Sequence, residues 1–116
     1  MKVLVYNLMF NKLAATTKAC SALGAELIQI KTDQLHDSIE SLTGAGPNIK
    51  PGMDGNMVPK ELMVFSGFTS DDMERFLTTY NSTGIPKVIF KAMVTPINLR
   101  WSPAYLYEHL IDEVNS

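Results

Sequence analysis

The sequence predicts a small three-layer α/β domain with a four-stranded, mainly parallel sheet and helices on both faces. Short apolar runs typical of buried strands recur along the chain. Between them, apolar residues lie three or four positions apart, which is the spacing of one helix face. Parallel strands need crossover helices that pack back on the sheet, so we expect two βαβ units and the strand order 2-1-3-4.

The N-terminal half predicts two strands and two helices. Residues 3–6 and 27–30 are the apolar runs. Gly24 stands where a glycine ends a helix, because glycine enters the left-handed conformation without steric cost. Thr32 and Asp33 offer caps for a second, short helix. The inward residues predicted for the two helices are Phe10, Leu13, Ala14, Thr17, Cys20 and Leu23, then Leu35, Ile39 and Leu42.

The C-terminal half repeats this order, with predicted strands at residues 62–67 and 87–94. Thr69 or Ser70 caps the helix between them, which stops at Gly84. Ser102 caps the last helix, and proline at the first helical position loses nothing by lacking an N–H. The inward residues predicted for these helices are Met73, Phe76, Leu77 and Tyr80, then Leu106, Leu110 and Val114.

Length and composition indicate one domain over residues 1–116, with a Gly/Pro-rich loop at 44–59 that is expected to fold back or stay disordered. A net charge of −2 without a basic stripe argues against nucleic acid and membrane surfaces as partners. Cys20 is the single cysteine and fits a reducing compartment. The apolar start of the chain is too short for a signal peptide, so we expect a cytoplasmic protein.

With all strands running the same way, a crevice is expected between the first and third strands, beside Asn7 and Gly67. Asn7 and Ser66 stand where a phospho-accepting domain would need acidic residues, and no glycine-rich phosphate loop follows the first strand. His36 is expected on a solvated face, and His109 and Glu113 lie four apart, which allows pairing on one helix face. We predict no cofactor, no metal and no catalytic residue.

Small-ligand binding, with catalysis as an extension, is the alternative function predicted at that crevice. Its candidate residues are Asn7, Ser66, Lys91, Thr95 and Asn98. Lys91 interrupts an otherwise apolar strand. It is either an edge-strand lysine that reaches water and blocks edge-to-edge pairing, or a site lysine near Asn98 and Arg100.

The main hypothesis is a non-enzymatic module for protein interaction or self-association. Tyrosine and tryptophan supply large contact areas at low entropy, and the chain concentrates them around the last helix. The predicted surface consists of Arg100, Trp101, Tyr105 and Tyr107. Trp101 alternatively acts as a hydrophobic staple, packing near Leu106 just before the Ser102 cap.

The run Lys-Ala-x-x-Thr-Pro-x-Asn-x-x-Trp, from Lys91 to Trp101, resembles a bacterial family known as domain of unknown function 3783. The resemblance covers the chain from Glu61 onward. It implies a small bacterial α/β protein with no established activity, cofactor or partner, and it transfers no catalytic role to the motif residues.

Overall fold

The computed structural model describes residues 1–45 and 49–115. The main elements in chain order are β1 (Lys2–Tyr6), α1 (Phe10–Leu23), β2 (Glu26–Gln29), β3 (Leu62–Ser66), α2 (Ser70–Asn81), β4 (Lys91–Met93) and α3 (Pro103–Asn115).

The four strands form one sheet in the order β2-β1-β3-β4, which confirms the predicted order and fold class. The pairs β1–β2 and β3–β4 are parallel, as the two βαβ units require. The central pair β1–β3 is antiparallel, with Lys2 opposite Ser66 and Tyr6 opposite Leu62. The sheet is therefore mixed and mainly parallel, and the expectation that all strands run the same way is wrong for this pair.

The chain between β2 and β3 explains the antiparallel central pair. The side-chain amide of Asn7, just after β1, donates to the carbonyl of Lys60, just before β3, at 2.8 Å. The chain therefore enters β3 beside the C-terminal end of β1, and the two strands run in opposite directions. A long irregular connection permits this entry. Only a connection between two parallel strands must cross back to the end of the sheet at which the first strand began.

Each face of the sheet carries its own core. Val3, Val5, Met63 and Phe65 point to the side covered by α1 and α2. The alternate residues of the same strands pack on the other side with Ile30, Leu35, Ile39 and Leu106 of the connection and α3. Helices on both faces are thus confirmed, and the period of two along each strand assigns the residues to the two cores.

Aromatic rings anchor α2. Phe65 of β3 meets Phe68 and Phe76 edge to face, with centroids 5.1 Å and 5.0 Å apart. Tyr80 stacks on Phe76 one turn later. Such pairs each contribute about 0.5–1.5 kcal/mol beyond the area they bury. The inward face predicted for α2 is confirmed, and Thr69 caps the helix by a reciprocal pair of hydrogen bonds with Asp72.

Helix α1 is rotated relative to the predicted stripe. Its buried residues are Ala15, Thr16, Ala19 and Cys20. Phe10 is 88% exposed, so its inward prediction is wrong, as are those of Ala14 and Thr17. The small side chains of this face suit the close packing of α1 against α2. The Thr16 hydroxyl donates to the Lys12 carbonyl at 2.8 Å, which lets a polar residue be buried.

Several predicted boundaries shift. Strand β4 has only three residues instead of the eight from 87 to 94, and the predicted short helix is replaced by a 3-10 turn at Thr32–Gln34 and a π-helical turn at Ser41–Ala45. Leu35 and Ile39 are nevertheless buried as expected. Val114 is exposed near the end of α3, so its inward prediction is wrong.

Residues 49–59, here called the strap, lie against the corner that precedes α3. Gly52 donates its N–H to the Arg100 carbonyl at 2.6 Å, and Ser102 donates to the Met53 carbonyl at 2.9 Å. The folding back of the long loop is therefore confirmed for the strap. Gly46, Pro47 and Asn48 of the predicted loop lie outside the described residues. Within the described ranges, no helix has the length and apolarity to cross a membrane.

Replacing Gly55 by alanine tests the contact between the strap and α3. A Cβ atom there would lie 2.7 Å from the Tyr105 backbone nitrogen and 2.8 Å from a Glu108 carboxylate oxygen. We expect Gly55→Ala to lower the free energy of unfolding by about 1–3 kcal/mol in urea titration, because overpacking forces the backbone apart. Gly52→Ala is the matched control, since its Cβ would meet Arg100 at an ordinary 3.7 Å. Equal stabilities of the two variants would contradict the docked strap.

Candidate functional site

The predicted ligand-binding residues do not share one crevice. Because β1 and β3 are antiparallel, Asn7, which follows β1, and Ser66, which ends β3, lie at opposite ends of this strand pair. The Asn7 side chain is engaged with the Lys60 carbonyl, and its backbone has a positive φ of 55°. The expected crevice between the carboxyl ends of the first and third strands is therefore corrected: Asn7 is separated from Ser66, while Thr95 follows β4 at the edge where β3 ends.

Thr95 and Asn98 bond to each other. The Thr95 N–H donates to the Asn98 side-chain oxygen at 2.7 Å, and the Asn98 N–H donates to the Thr95 hydroxyl at 3.1 Å. The Asn98 amide also donates to the Met93 carbonyl at 2.9 Å. This reciprocal arrangement has the form of a capping box and fixes the 3-10 turn Asn98–Arg100. The Thr-Pro-x-Asn part of the sequence motif thus has a local structural role.

The edge strand β4 is closed to strand pairing at both ends. The N–H of Ile89, before the strand, donates to a Glu61 carboxylate oxygen at 2.6 Å. At the other end, the side-chain amide of Asn98 donates to the Met93 carbonyl. A three-residue edge with occupied neighbours is a poor template for another strand. The predicted position of Lys91 on an edge strand is confirmed.

Lys91 is half-buried on the α2 side of β4. Its ammonium donates to the Val88 carbonyl at 2.8 Å. Burial lowers the pKa of Lys91, repulsion from Lys87 lowers it further, and Glu61 partly opposes the shift. The Glu61 carboxylate is itself paired with Lys12 at 2.8 Å. Lys91 therefore loses its proton more readily than an ordinary surface lysine.

Trp101 packs as the predicted staple. Its ring lies 4.9 Å from Tyr105 and 5.1 Å from His109, and it joins the core cluster that contains Leu106. Its backbone carbonyl accepts the N–H of Ile39 at 2.9 Å. The tryptophan therefore ties the start of α3 to the segment that follows β2.

An open groove of about 300 Å³ runs between β4, the 3-10 turn and α3, and it is called the α3 groove below. Its apolar lining comes from Ala92, Ile97, Trp101, Leu106 and Leu110. Lys91, Thr95, Asn98, His109 and Glu113 supply the polar part. Three of the five predicted ligand-binding residues and Trp101 of the predicted interaction surface thus border one groove.

The predicted interaction surface is partly corrected. Arg100 is exposed and Tyr105 is half-buried. Tyr107 is only 1% exposed, with its ring 4.9 Å from that of Phe90, so it cannot contact a partner. Sequence spacing placed it on the outer face, but the chain before β4 turns under α3 and covers it.

A cluster of His36, Asp54 and Ser102 was missed by the sequence analysis. The carboxylate of Asp54 lies 2.9 Å from the Nδ1 atom of His36 and accepts the Gly55 N–H at 2.9 Å. Burial alone would raise the pKa of Asp54, but hydrogen bonds from Ser102, His36 and Gly55 outweigh it and lower the pKa. No sequence signal joins these residues, because the strap brings Asp54 to the other two.

This cluster has the wrong order for nucleophilic catalysis. A serine nucleophile needs a histidine as its base and a carboxylate behind the histidine. Here the carboxylate stands between serine and histidine, and Ser102 also caps α3 by accepting the Tyr105 N–H at 3.1 Å. The arrangement fastens the strap to the helix start.

Other chemically interesting side chains have structural surroundings. His109 and Glu113 lie 3.6 Å apart on one face of α3, as their spacing allowed. Burial raises the pKa of Cys20 to about 11, so the thiol stays protonated at neutral pH. No group of three or more potential metal ligands occurs among residues 1–45 and 49–115.

The comparisons with known proteins found a match only for the C-terminal part of the chain. Residues 61–115 match the model of the family described as Domain of unknown function (DUF3783). The family resemblance predicted from the sequence is thereby confirmed. The matched residues comprise β3, α2, β4 and α3, and therefore the whole α3 groove. No curated protein and no solved structure matches the chain.

The Asp54 cluster predicts a pH dependence of stability. A carboxyl group whose pKa is lowered on folding stabilises the protein above its unfolded pKa of 3.8, and this contribution is lost as pH falls through the folded pKa. We expect the advantage of the wild type over Asp54→Asn, measured by urea unfolding, to be present at pH 7 and to shrink below pH 3.8. Asp33→Asn, on an exposed turn, is the control. A difference that is the same at pH 7 and pH 3 would argue against the carboxylate role.

Proposed function

We propose that this protein is a non-enzymatic module that associates with a second copy of itself through the α3 groove. The observation that carries the proposal is Ile97. Its side chain is 72% exposed at the border of a groove whose floor is apolar. Val114, near the end of α3, is also exposed. Removing such a side chain from water is worth about 1.5–3 kcal/mol.

The charges around the groove favour a partner identical to the protein. The chain carries a net charge of only −2, so two copies repel each other weakly. The groove border contains both Lys91 and Glu113. In a two-fold interface the same surface meets itself, and a surface with both signs of charge can then complement itself.

The polar groups of the groove give less support to catalysis. Thr95 and Asn98 are hydrogen-bonded to each other. His109 stands beside Trp101 and Glu113. General acid–base catalysis needs a proton-transferring group aimed at a bound substrate, and these contacts instead stabilise the turn and the helix.

Small-ligand binding in the same groove is the second candidate, and the clustering of Lys91, Thr95 and Asn98 supports it. A ligand that binds only the folded state raises the melting temperature by mass action. A thermal-shift screen against nucleotides and metabolites tests this candidate. We expect a shift from at least one compound if a ligand is bound there, whereas a flat result across a broad library removes it.

Exchanging Ile97 for aspartate tests the self-association directly. We expect Ile97→Asp to raise the dissociation constant of the complex roughly 10- to 100-fold, because it removes one buried isoleucine and adds a charge. Analytical ultracentrifugation over a concentration series measures this change. Since Ile97 is exposed, the folded state should be retained, and circular dichroism checks that it is.

Phe10→Asp is the matched control, because Phe10 is also apolar and exposed but begins α1 on the other face of the sheet. We expect this variant to associate like the wild type. A wild type that sediments as a monomer at all concentrations would contradict the proposal. So would a loss of association in Phe10→Asp but not in Ile97→Asp.

A further inference from the structure

A second, smaller cavity lies on the α2 side of the sheet and shares only Lys91 with the lining of the α3 groove. Its volume is about 80 Å³, and its walls are Met63, Phe76, Leu77, Tyr80 and Val88, with Asn81, Lys87 and Lys91 as the polar members. Sites for drug-sized ligands measure about 300–1,000 Å³. This cavity therefore suits a compound of only a few heavy atoms.

The cavity combines an apolar wall with two amines. Lys91 extends from β4, while Lys87 lies on the chain before it and is exposed. The two side chains are close enough that Lys87 disfavours the charged form of Lys91. A lysine that is desolvated and lies next to another cation is an activated nucleophile.

The hydrogen bond of Lys91 is compatible with attack on a carbonyl carbon. The Nζ atom donates one hydrogen to the Val88 carbonyl at 2.8 Å. A neutral amine has two hydrogens and one lone pair, so it can keep this bond and still use the lone pair. Val88 is buried in the core, and its carbonyl therefore holds the amine at a fixed place.

We propose that Lys91 captures a small 2-oxo acid as an imine, with Lys87 binding the carboxylate of that acid. The Lys91 nitrogen forms a bond to the carbonyl carbon and transfers one of its two protons to the carbonyl oxygen, which gives a carbinolamine. The nitrogen lone pair then expels this oxygen, which takes the second amine proton and leaves as water, and the product is an imine. The step is balanced by the amine and the 2-oxo acid alone, since one water leaves and no oxidant is needed.

The ionic surroundings support an anionic compound. Lys87 and Lys91 are the charged residues of the cavity wall. Glu61 acts on Lys91 with the opposite sign, but its two carboxylate oxygens are engaged by Lys12 and by the Ile89 N–H. A bound carboxylate would relieve the repulsion between the two lysines. This role rests on the cavity on the α2 side of β4, although Lys91 also borders the α3 groove.

Reductive trapping with pyruvate tests the proposal on the wild-type protein. Cyanoborohydride reduces an imine to a stable secondary amine, and mass spectrometry of chymotryptic peptides locates the added group. We expect Lys91 to be labelled faster than exposed Lys50 at neutral pH, because burial and repulsion from Lys87 lower the pKa of Lys91 and increase its neutral fraction. Equal labelling of the two lysines would overturn the proposal.

Two variants and one alternative compound test the parts of the site. Lys91→Arg retains the charge but lacks the nucleophile, so the fast label should disappear while Lys50 reacts as before. Propanal has the carbonyl group without the carboxylate. Lys87→Met should slow trapping of both compounds, because Lys87 lowers the pKa of Lys91, but it should slow trapping of pyruvate more than trapping of propanal. A Lys87→Met variant that keeps the wild-type preference for pyruvate would refute the role of Lys87. Lactate keeps the carboxylate but has a hydroxyl in place of the keto group, so it should compete with pyruvate without labelling Lys91. Failure of lactate to compete would count against carboxylate binding.

Discussion

The backbone hydrogen bonds of residues 100–102 are the constraint on which the described structure around α3 depends. The carbonyl of Arg100 accepts from Gly52, the carbonyl of Trp101 accepts from Ile39, and the N–H of Ser102 donates to Met53. Three consecutive residues thus hold the strap and the segment after β2 in place. Buried backbone groups need such partners, because an unpaired one costs about as much as a lost hydrogen bond.

This corner also explains how an irregular strap can lie against the body of the protein. Gly55 approaches the backbone of α3 so closely that no side chain fits, and the Glu108 carboxylate accepts the N–H groups of Asn56 and Met57 at 2.8 Å and 3.1 Å. Backbone polar groups of the strap are therefore hydrogen-bonded to α3 and to residues 100–102. The α3 groove begins beside the same corner, where Trp101 forms part of its wall.

Much of the fold could be predicted from the sequence because its signals are local. Capping by Thr69 and Ser102, the glycine that ends α1 and the aromatic face of α2 each depend on residues within a few positions of one another. The strand order also followed from the two βαβ units. The direction of β3 could not be predicted, since it depends on the path of a long connection without periodicity. The rotation of α1 was missed because its buried face consists of small alanine, threonine and cysteine side chains, whereas Phe10 is exposed.

The candidate site was harder to predict, because its members meet only in three dimensions. The sequence singled out Lys91, Thr95, Asn98 and Trp101, which do border one groove, but it gave no indication that Thr95 and Asn98 bond to each other. Tyr107 had the composition of an interface residue and is instead buried against Phe90. Asp54 joins His36 only through the strap. The residue types indicated which chemical groups were available. Long-range packing determined which of these groups meet and whether they are buried.

Hydrogen exchange of the corner amides, measured by NMR in the native state, tests the central claim most directly. If residues 100–102 fasten the surrounding segments, the amides of Ile39, Gly52 and Ser102 exchange only through the global unfolding that also exposes Val64 of β3. Exchange of these three amides at the rate of exposed loop amides, while Val64 stays protected, would contradict the account.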